Sequence, residues 1–532
     1  MSHIEIFDTT LRDGCQGEGV SFSLEDKLKV LKCLDDFQVD YIEGGWPGSN
    51  PKDIEFFKAA GDVELSHARL TAFCSTCRAG TPAGDDANLR AVLDVNTPVV
   101  TIFGKSWTLH VTEVLCTTLD ENLRMIEDSV RHVRSEGRHV IFDAEHFFDG
   151  YKNDPEYAID ALKAAQRGGA RCLVLCDTNG GSLPKELGRI VRDVRERVPD
   201  AKLGIHTHND SGVAVANTLV AVQEGATHVQ GTFNGLGERC GNADLTTVIP
   251  NLALKMRLDL SMDEEKIANL SHTARYINAV ANLSFPENHP FVGLMAFAHK
   301  GGVHVNSVRK IADSYEHLHP EAVGNTRRVL ISELSGKSNV EHLADAEGID
   351  LSDQDEAVRN AVAEIKRLEN EGYVFEEAEA SAVLILLKHL GKLENLFELV
   401  RYRTSVEHRR SGGTFNEATV KIRVGESEFL AVGEGVGPVN ALDAALRNSL
   451  GQIYPEVAGI HLKDYKVRII NAEAGTDARV CVTIESITSE GDLRWNTVGA
   501  HENLIEASWA ALNDSIVYGL LRKRQPELFA SI

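Results

Sequence analysis

The stretch Gly204-Ile205-His206-Thr207-His208-Asn209-Asp210 begins as an apolar strand and ends in polar residues. The first part of the chain, roughly 250 residues, repeats this pattern: a short apolar run ends in polar side chains, and a longer amphipathic stretch follows. Because alternate residues of a strand share a face, the side chains of His206 and His208 point the same way. We therefore expect both imidazoles to reach one cation.

Eight such apolar runs are predicted to be strands. They are Ile4–Phe7, Tyr41–Gly44, Leu70–Phe73, Val99–Phe103, Val140–Asp143, Cys172–Cys176, Leu203–Thr207 and Val229–Thr232. Helices are predicted between them, including Leu24–Phe37, Leu119–Glu136, Pro155–Arg167 and Leu183–Val198. Since a parallel strand pair needs a crossover, this alternation predicts an α/β fold, a closed (β/α)8 TIM barrel.

Polar side chains cluster directly after the predicted strand ends, where barrel active sites lie. The positions are Arg12, Asp13, Glu43, Glu145, Asp177, Thr178, His206, His208 and the loop Asn234–Asn242. We expect these residues, although distant in sequence, to converge on one barrel mouth.

The rest of the chain differs in character. The barrel is predicted to occupy residues 1-260, helical linker subdomains residues 261-408, and a C-terminal α+β regulatory domain residues 409-532. The stretch Arg409–Thr414 contains Ser-Gly-Gly and has the composition of a linker. Beyond it, strand-like alternation returns at Ala418–Val424, Lys466–Ile470 and Arg479–Ile487, with helices at Pro438–Leu450 and Leu504–Leu521.

Composition excludes several classes of function. The 532 residues carry 55 basic and 79 acidic side chains, a net charge of -24, which argues against binding nucleic acid or an anionic membrane. No stretch approaches the roughly 20 apolar residues of a membrane span. The amino terminus lacks a signal-peptide pattern, and nine scattered cysteines favour a reducing compartment. We expect a cytoplasmic protein.

Asp13, His206 and His208 together predict a metal site. Taken alone, Arg12 and Asp13 fit a surface ion pair, and a single histidine fits a hydrogen-bonded core residue. Together, one carboxylate and two imidazoles form the mixed N/O set of a divalent ion that keeps open positions for substrate. Arg12 is always charged and can stabilise negative charge that develops on an oxygen. We expect Asp210 to orient one of the imidazoles.

Other segments permit two interpretations each. The glycine-rich loop Asn234–Asn242 fits an ordinary turn, or a site where the backbone approaches the pyrophosphate of CoA, with Asn242 as a weak oxygen ligand of the metal. Glu145 fits a solvated carboxylate or an acid–base group. Thr178 fits a helix cap or a donor to a substrate carboxylate. His304 fits a structural residue or a general base.

Three motifs in order resemble one enzyme family. Asp8-Thr9-Thr10-Leu11-Arg12-Asp13-Gly14, His206-Thr207-His208-Asn209-Asp210 and Asn234-Gly235-Leu236-Gly237-Glu238-Arg239-Cys240-Gly241-Asn242 are similar to those of the isopropylmalate, homocitrate and citramalate synthases. The stretches Glu43-Gly44-Gly45-Trp46-Pro47 and Glu145-His146-Phe147-Phe148-Asp149-Gly150 resemble the (R)-citramalate branch. Isopropylmalate synthases usually have Gly-Phe-Pro in place of Gly-Trp-Pro, so a bulky keto acid is disfavoured.

The resemblance implies a reaction and a set of roles. The reaction is a Claisen condensation of acetyl-CoA with pyruvate on a divalent metal (Mg2+, Mn2+, Zn2+ or Co2+) that serves isoleucine biosynthesis. It implies a homodimer, with isoleucine as the effector of the C-terminal domain. The implied roles are metal binding by Asp13, His206, His208 and Asn242, substrate binding by Arg12 and Thr178, catalysis by Arg12, Glu145, His304 and Tyr315, and CoA binding by Asn234, Gly235 and Gly237.

Rival functions remain open at this point. Isopropylmalate and homocitrate synthesis are sibling condensations, and an acyl-CoA lyase of the same superfamily runs the reverse chemistry. A non-catalytic amino-acid-binding regulator would keep the fold without needing Arg12, Asp13, His206 and His208 together. A barrel-bound metal ion distinguishes the enzyme from the regulator.

Overall fold

The computed structural model describes residues 3–408, 410, 413–491 and 493–529. These residues form two compact units. The first comprises the chain up to Phe297 with Leu318–Thr326, and the second comprises Ala298–His317 with the chain from Arg327 onward. Of the predicted linker Arg409–Thr414, residues 409, 411 and 412 lie outside the described residues.

The first unit is built around a closed barrel of eight parallel strands. They are β1 (Glu5–Asp8), β2 (Tyr41–Gly45), β3 (Arg69–Ser75), β4 (Val99–Lys105), β5 (His139–Glu145), β6 (Cys172–Asp177), β7 (Leu203–Thr207) and β8 (His228–Gly231). Each strand pairs with its neighbour in sequence, and β8 closes on β1. The predicted TIM barrel is confirmed, and the predicted strand ends are within about two residues of those observed.

Helices on the outside of the barrel complete the first unit. They are α1 (Leu24–Asp36), α2 (Pro51–Ala60), α3 (Ala87–Asp94), α4 (Leu119–Ser135), α5 (Phe147–Asn153), α6 (Pro155–Gly168), α7 (Pro184–Arg197), α8 (Ala214–Gln223), α9 (Leu245–Pro250), α10 (Glu264–Ile267) and α11 (Leu270–Val280). Local sequence sets their ends. Ser23 and Asp26 form a capping box at α1, and Pro155 occupies the first turn of α6, where its missing N–H costs nothing.

Strand alternation divides the barrel side chains into two sets. Outward residues pack against the helices, whereas inward residues, most of them in the amino-terminal half of their strands, form a small apolar plug. The plug consists of Phe7, Tyr41, Val99, Ile141, Cys172, Val174 and Cys176. It closes the lower half of the barrel, so the inward polar residues above it face the mouth.

The second unit combines helices with two antiparallel sheets. Its helices are α12 (Gly302–Lys310), α13 (Lys337–Glu347), α14 (Asp355–Asn370), α15 (Glu379–His389), α16 (Pro438–Leu450) and α17 (Leu504–Arg524). A short parallel pair joins β9 (Ala298–His299) to β10 (Arg328–Val329). One sheet orders β11 (Glu398–His408), β12 (Thr414–Val424) and β13 (Ser427–Gly435), and the other orders β14 (Ile460–Ile469), β15 (Val480–Thr488) and β16 (Arg494–His501).

Five of these strands were not predicted: the two-residue strands β9 and β10, and the sheet strands β11, β13 and β16. Strand β11 lies at a sheet edge and is exposed along most of its length. A bulge between Leu399 and Arg401 interrupts its two-residue period near the start of the strand. In the described parts of both units, no helix has the length and apolar character needed to cross a membrane.

Candidate metal centre and substrate pocket

Three predicted ligands converge at the barrel mouth. Nε2 of His206 lies 3.3 Å from Oδ2 of Asp13, and Nε2 of His208 lies 3.7 Å from the same oxygen. The two Nε2 atoms are 3.2 Å apart. Asp13 reaches this position because the turn after β1 folds back, with the N–H groups of Arg12 and Asp13 donating to the carbonyl of Thr9.

The spacing of these atoms fits a divalent cation. Ligand atoms about 2.1 Å from a metal lie roughly 3.0–3.4 Å apart in octahedral or tetrahedral geometry. Asp13, His206 and His208 are each less than a tenth exposed, so the donor atoms face one another in a space largely free of competing solvent. One carboxylate and two imidazoles suit Mn2+, Zn2+ or Co2+ better than an all-oxygen site would.

Asn242 lies beside the same atoms, but with its amide nitrogen. Nδ2 donates to Oδ2 of Asp13 at 2.8 Å and lies 3.2 Å from Nε2 of His206. Its Oδ1 is buried without a hydrogen-bond partner among the described residues. An amide nitrogen cannot bind a cation, so ligation by Asn242 requires the opposite amide orientation, which places Oδ1 where Nδ2 now lies.

The charges of the cluster are strongly coupled. Burial alone would raise the pKa of Asp13, but the charge of Arg12 and the hydrogen bond from His206 hold that pKa far below its ordinary value. Against burial, Asp13 raises the pKa of His206. Burial and the charge of His206 lower the pKa of His208 to about 4. Near neutral pH the carboxylate of Asp13 is therefore ionised and His208 is neutral, and a cation that binds both imidazoles displaces any proton from Nε2 of His206.

Arg12 is held rigidly in the mouth. Its Nε donates to Oε2 of Glu43 at 2.7 Å, and its Nη1 lies 3.2 Å from Oδ1 of Asp13. The guanidinium carbon lies 3.9 Å from the centre of the Phe73 ring. Glu43 is in turn fixed by the hydroxyl of Thr9 at 2.6 Å. A planar cation held on three sides is pre-organised to stabilise an anionic oxygen.

A cavity of about 230 Å³ opens above these groups. Its apolar side is formed by Trp46, Phe73 and Phe103, where the two phenylalanines stack at 5.1 Å and Trp46 meets both edge-on. The indole N–H donates to Oδ1 of Asn88 at 2.7 Å, which fixes the ring. This volume and this aromatic side suit a small keto acid with a short side chain.

The opposite side of the cavity is polar. The carboxylate of Glu145 pairs with Lys105, which lies directly opposite it on the neighbouring strand. The hydroxyl of Thr178 accepts a hydrogen bond from the backbone N–H of His146 at 2.9 Å, and the carbonyl of Thr178 accepts one from Arg239 at 2.8 Å. Thr178 thus keeps its hydroxyl proton for a ligand in the cavity.

Asp210 was expected to orient an imidazole, and this expectation was wrong for His206. Its carboxylate instead forms a two-point pair with Arg239, at 2.7 and 3.0 Å, and so ties the β7 loop to the glycine-rich loop. The group that contacts Nδ1 of His206 is Oε1 of Gln230, at 2.8 Å.

The glycine-rich loop is shaped by its own packing. A Cβ on Gly237 would lie 2.0 Å from Oδ1 of Asn242, so only glycine lets Asn242 lie beside Asp13. Gly235 has a φ of +65°, and the amide of Asn234 donates to the carbonyl of Ala274 at 2.8 Å. These contacts account for Asn234, Gly235 and Gly237 without CoA, and their part in CoA binding stays a prediction.

His304 and Tyr315 belong to the second unit. His304 lies on α12, and its ring stacks on that of Tyr315 with centroids 4.2 Å apart. Both side chains are well exposed. Two exposed rings that support each other leave the imidazole nitrogens accessible, as a base that serves a neighbouring site requires.

Comparison with known proteins gives the family. The chain is 50% identical over 523 residues to the (R)-citramalate synthase of Aquifex aeolicus, covering 98% of each chain. It is 49% identical to that of Synechocystis sp., covering 97% of this chain and 96% of the relative. The chain belongs to the (R)-citramalate synthase family.

Family matches extend along the chain. Residues 3–274 match the HMGL-like family, 291–373 the homocitrate synthase post-HMGL domain-like family, and 376–520 the LeuA allosteric (dimerisation) domain. A probable 2-isopropylmalate synthase of Methanopyrus kandleri is only 32% identical, over 95% of this chain and 96% of that protein. The predicted resemblance to the citramalate branch is confirmed.

Several residues of the site were not predicted from the sequence. Three of them, Phe73, Phe103 and Lys105, lie toward the carboxyl ends of β3 and β4 but belong to none of the sequence motifs described above. Asp143 and Gln230 lie inside buried parallel strands, where polar residues are unusual. Their polar character in such strands was the only sequence feature that pointed to a functional role.

Asp143 leads to a pH-dependent prediction. Burial, followed by the charge of Glu43, raises the pKa of Asp143 to about 7. The folded state binds this proton more tightly than the unfolded chain does. The free energy of unfolding therefore falls by at most about 4 kcal/mol as the pH rises from about 4 to about 7. We expect Asp143→Asn to remove this loss in the metal-free protein. Urea unfolding of both proteins across that pH range measures it, and parallel stability curves would contradict it.

Proposed function

We propose that the chain is an acyltransferase that condenses acetyl-CoA with pyruvate and hydrolyses the thioester, giving (R)-citramalate and CoA. The observation that carries the proposal is the identity of 46–50% with five (R)-citramalate synthases along nearly the whole chain. The cluster of Asp13, His206 and His208 supports it, because a regulator without catalysis needs no such donor set.

The shape of the cavity supports pyruvate as the keto acid. Trp46, Phe73 and Phe103 form the apolar side of the cavity, where the side chain of the keto acid packs, and Trp46 is held in place by Asn88. A methyl group needs no adjustment of these rings, whereas a bulkier isopropyl group brings more atoms against them.

The residues at the mouth have separate roles in the first step, the formation of the carbon–carbon bond. A bound divalent cation, held by Asp13, His206 and His208, would supply a Lewis acid for the keto oxygen of pyruvate. The guanidinium of Arg12 stabilises the negative charge that this oxygen gains as the new carbon–carbon bond forms. The hydroxyl of Thr178 donates to the pyruvate carboxylate.

Proton transfer is proposed to involve a second copy of the chain. His304 takes a proton from the methyl group of acetyl-CoA, with Tyr315 and Glu145 assisting, and the resulting carbon attacks C2 of pyruvate. The keto oxygen takes up a proton, and water then cleaves the thioester to release CoA as a thiol. The match to the LeuA allosteric (dimerisation) domain supports the homodimer.

A parallel assay tests the reaction. Thiol release from acetyl-CoA is followed with pyruvate, 2-ketoisovalerate and 2-ketoglutarate, each with and without a chelator. We expect fast, chelator-sensitive release with pyruvate alone. Preference for either larger keto acid would favour isopropylmalate or homocitrate synthesis, and thiol release unaffected by the chelator would exclude the metal mechanism.

Substrate size leads to a further prediction. Phe103→Leu shortens the aromatic side of the cavity without touching Arg12, which stacks on Phe73. We expect the ratio of kcat/KM for 2-ketoisovalerate to that for pyruvate to rise by about tenfold. Phe147→Leu, a buried phenylalanine outside the cavity, is the matched control and should leave the ratio unchanged. An unchanged ratio in Phe103→Leu would remove these rings as determinants of specificity.

Regulation and organisation complete the proposal. We propose isoleucine as the effector, acting at the C-terminal domain, in a cytoplasmic enzyme of the isoleucine pathway with domains 1-260, 261-408 and 409-532. One hydrophobic core in the second unit includes Ile331, Leu386, Val420 and Leu520, so deleting the chain from residue 409 would cut through it. Calorimetric titration of isoleucine into the full chain is therefore the better test.

A further inference from the structure

A chain of three buried side chains crosses the barrel beneath the mouth. Oε1 of Gln230, on β8, lies 2.8 Å from Nδ1 of His206 on β7, and Nε2 of Gln230 donates to Oδ1 of Asp143 on β5 at 3.0 Å. Gln230 is fully buried, and Asp143 and His206 are each about 5% exposed or less. Gln230 and His206 are also register partners of adjacent strands, so their side chains lie in one layer.

The direction of each hydrogen bond follows from its neighbours. The amide nitrogen of Gln230 donates to Oδ1 of Asp143, an oxygen that can accept whether or not the carboxyl group holds a proton on its other oxygen, and the amide oxygen is thereby directed toward His206. An amide oxygen only accepts, so the nitrogen it contacts on His206 must carry the proton. The proton on Nδ1 leaves the lone pair of a neutral imidazole on Nε2.

Nε2 is the atom that faces the proposed metal position, 3.3 Å from Asp13 and 3.2 Å from Nε2 of His208. The opposite tautomer would place a hydrogen between these atoms and would exclude a cation. Among the described residues, Nδ1 of His208 has no hydrogen-bond partner, so the two imidazoles are not positioned alike. His206 is the one whose tautomer and ring orientation the protein sets.

We propose that Gln230, itself oriented by Asp143, is a positioning residue that prepares His206 for metal binding. This inference deepens the proposed function and rests on its metal site. Partners of this kind typically change metal affinity by about 10–100-fold when they are removed. Gln230 does not line the substrate cavity, and Asp143, which does, is proposed to act through Gln230 on His206.

The test separates positioning from simple packing. Gln230→Met keeps the size of the side chain but contributes no acceptor, whereas Gln230→Glu keeps an acceptor oxygen for Nδ1. Mn2+ affinity of the full chain, stripped with a chelator, is measured by calorimetry. We expect about 10–100-fold weaker binding for Gln230→Met, and binding at least as tight as in the unsubstituted chain for Gln230→Glu.

Thr101→Val is the matched control. Thr101 is fully buried on β4, on the same inward face as Val99 and Phe103, and its hydroxyl has no partner among the described residues. The Thr101→Val chain should bind Mn2+ with the affinity of the unsubstituted chain. If Gln230→Met does not fold, Asp143→Ala replaces it in the test, because Asp143 is the other partner of Gln230. We then expect a several-fold loss of Mn2+ affinity.

Three results would overturn the inference, and one of them also affects the proposed function. Equal affinity of Gln230→Met and the unsubstituted chain, or equal losses in Gln230→Met and Gln230→Glu, would reduce Gln230 to a packing residue while citramalate formation stands. An unsubstituted chain that binds no Mn2+ and forms citramalate in the presence of chelator would remove the metal site itself, and with it both proposals.

Discussion

Replacing Asp13 by alanine is expected to abolish metal binding and to lower kcat/KM with pyruvate by more than about a thousandfold. The carboxylate is the only anion that faces both imidazoles in the described structure, at 3.3 and 3.7 Å. Loss of a Lewis acid removes several kcal/mol of stabilisation from the developing alkoxide, and each factor of ten in rate corresponds to about 1.4 kcal/mol. Calorimetry with Mn2+ and the thiol-release assay measure the two effects.

The Asp13→Ala chain should remain folded. Arg12 keeps its ion pair with Glu43, so the charge of Arg12 stays paired in the barrel when Asp13 is removed. The matched control is Asp35→Asn, which changes another buried carboxylate of the same unit. Asp35 accepts hydrogen bonds from the backbone of residues 66–68, so its loss should lower stability and leave Mn2+ affinity intact. Near-normal turnover in a folded Asp13→Ala chain would falsify the site.

Arg12→Lys is expected to lower kcat by about 10²–10³ while KM for pyruvate and Mn2+ affinity change little. Lysine keeps the charge, but it cannot bond Glu43, face Asp13 and stack on Phe73 at the same time, as the guanidinium does. The stabilisation lost is that of the alkoxide, which exists only after pyruvate has bound, so the effect should fall on kcat.

A second arginine-to-lysine substitution, made far from the mouth, controls for the general effect of exchanging the two side chains. Arg69 lies at the amino end of β3, the opposite end of the strand from the mouth, with its guanidinium carbon 6.0 Å from the Tyr41 ring. Arg69→Lys should leave kcat unchanged. If Arg12→Lys raises KM and spares kcat, Arg12 binds the ground state of pyruvate and its proposed role is wrong.

Part of the site could be predicted from local pattern. The position of His206 and His208 on one face follows from the alternation of a strand, and the place of Asp13 at the same mouth follows from the rule that parallel strands end on one side of a barrel. Both inferences need only the sequence period and the strand order. The structure brings the three side chains together as this reasoning predicts.

Other parts depend on contacts across the barrel. Lys105 pairs with Glu145 only because β4 and β5 align those two residues, and a shift of one residue would turn one side chain outward. The contact of Gln230 with Asp143 joins strands that are not neighbours in the sheet. No local pattern contains such information, so neither pair was predicted.

The amino-acid sequence by itself determined the barrel, the mouth and the three residues predicted to bind a cation, Asp13, His206 and His208, because hydrophobic period and strand order are local properties of a chain. Only the tertiary structure decided which amide atom of Asn242 faces Asp13, which residue sets the tautomer of His206, and how much room Trp46, Phe73 and Phe103 leave for a keto acid. These depend on side-chain orientation and close packing between distant segments, where a difference of one ångström separates contact from exclusion.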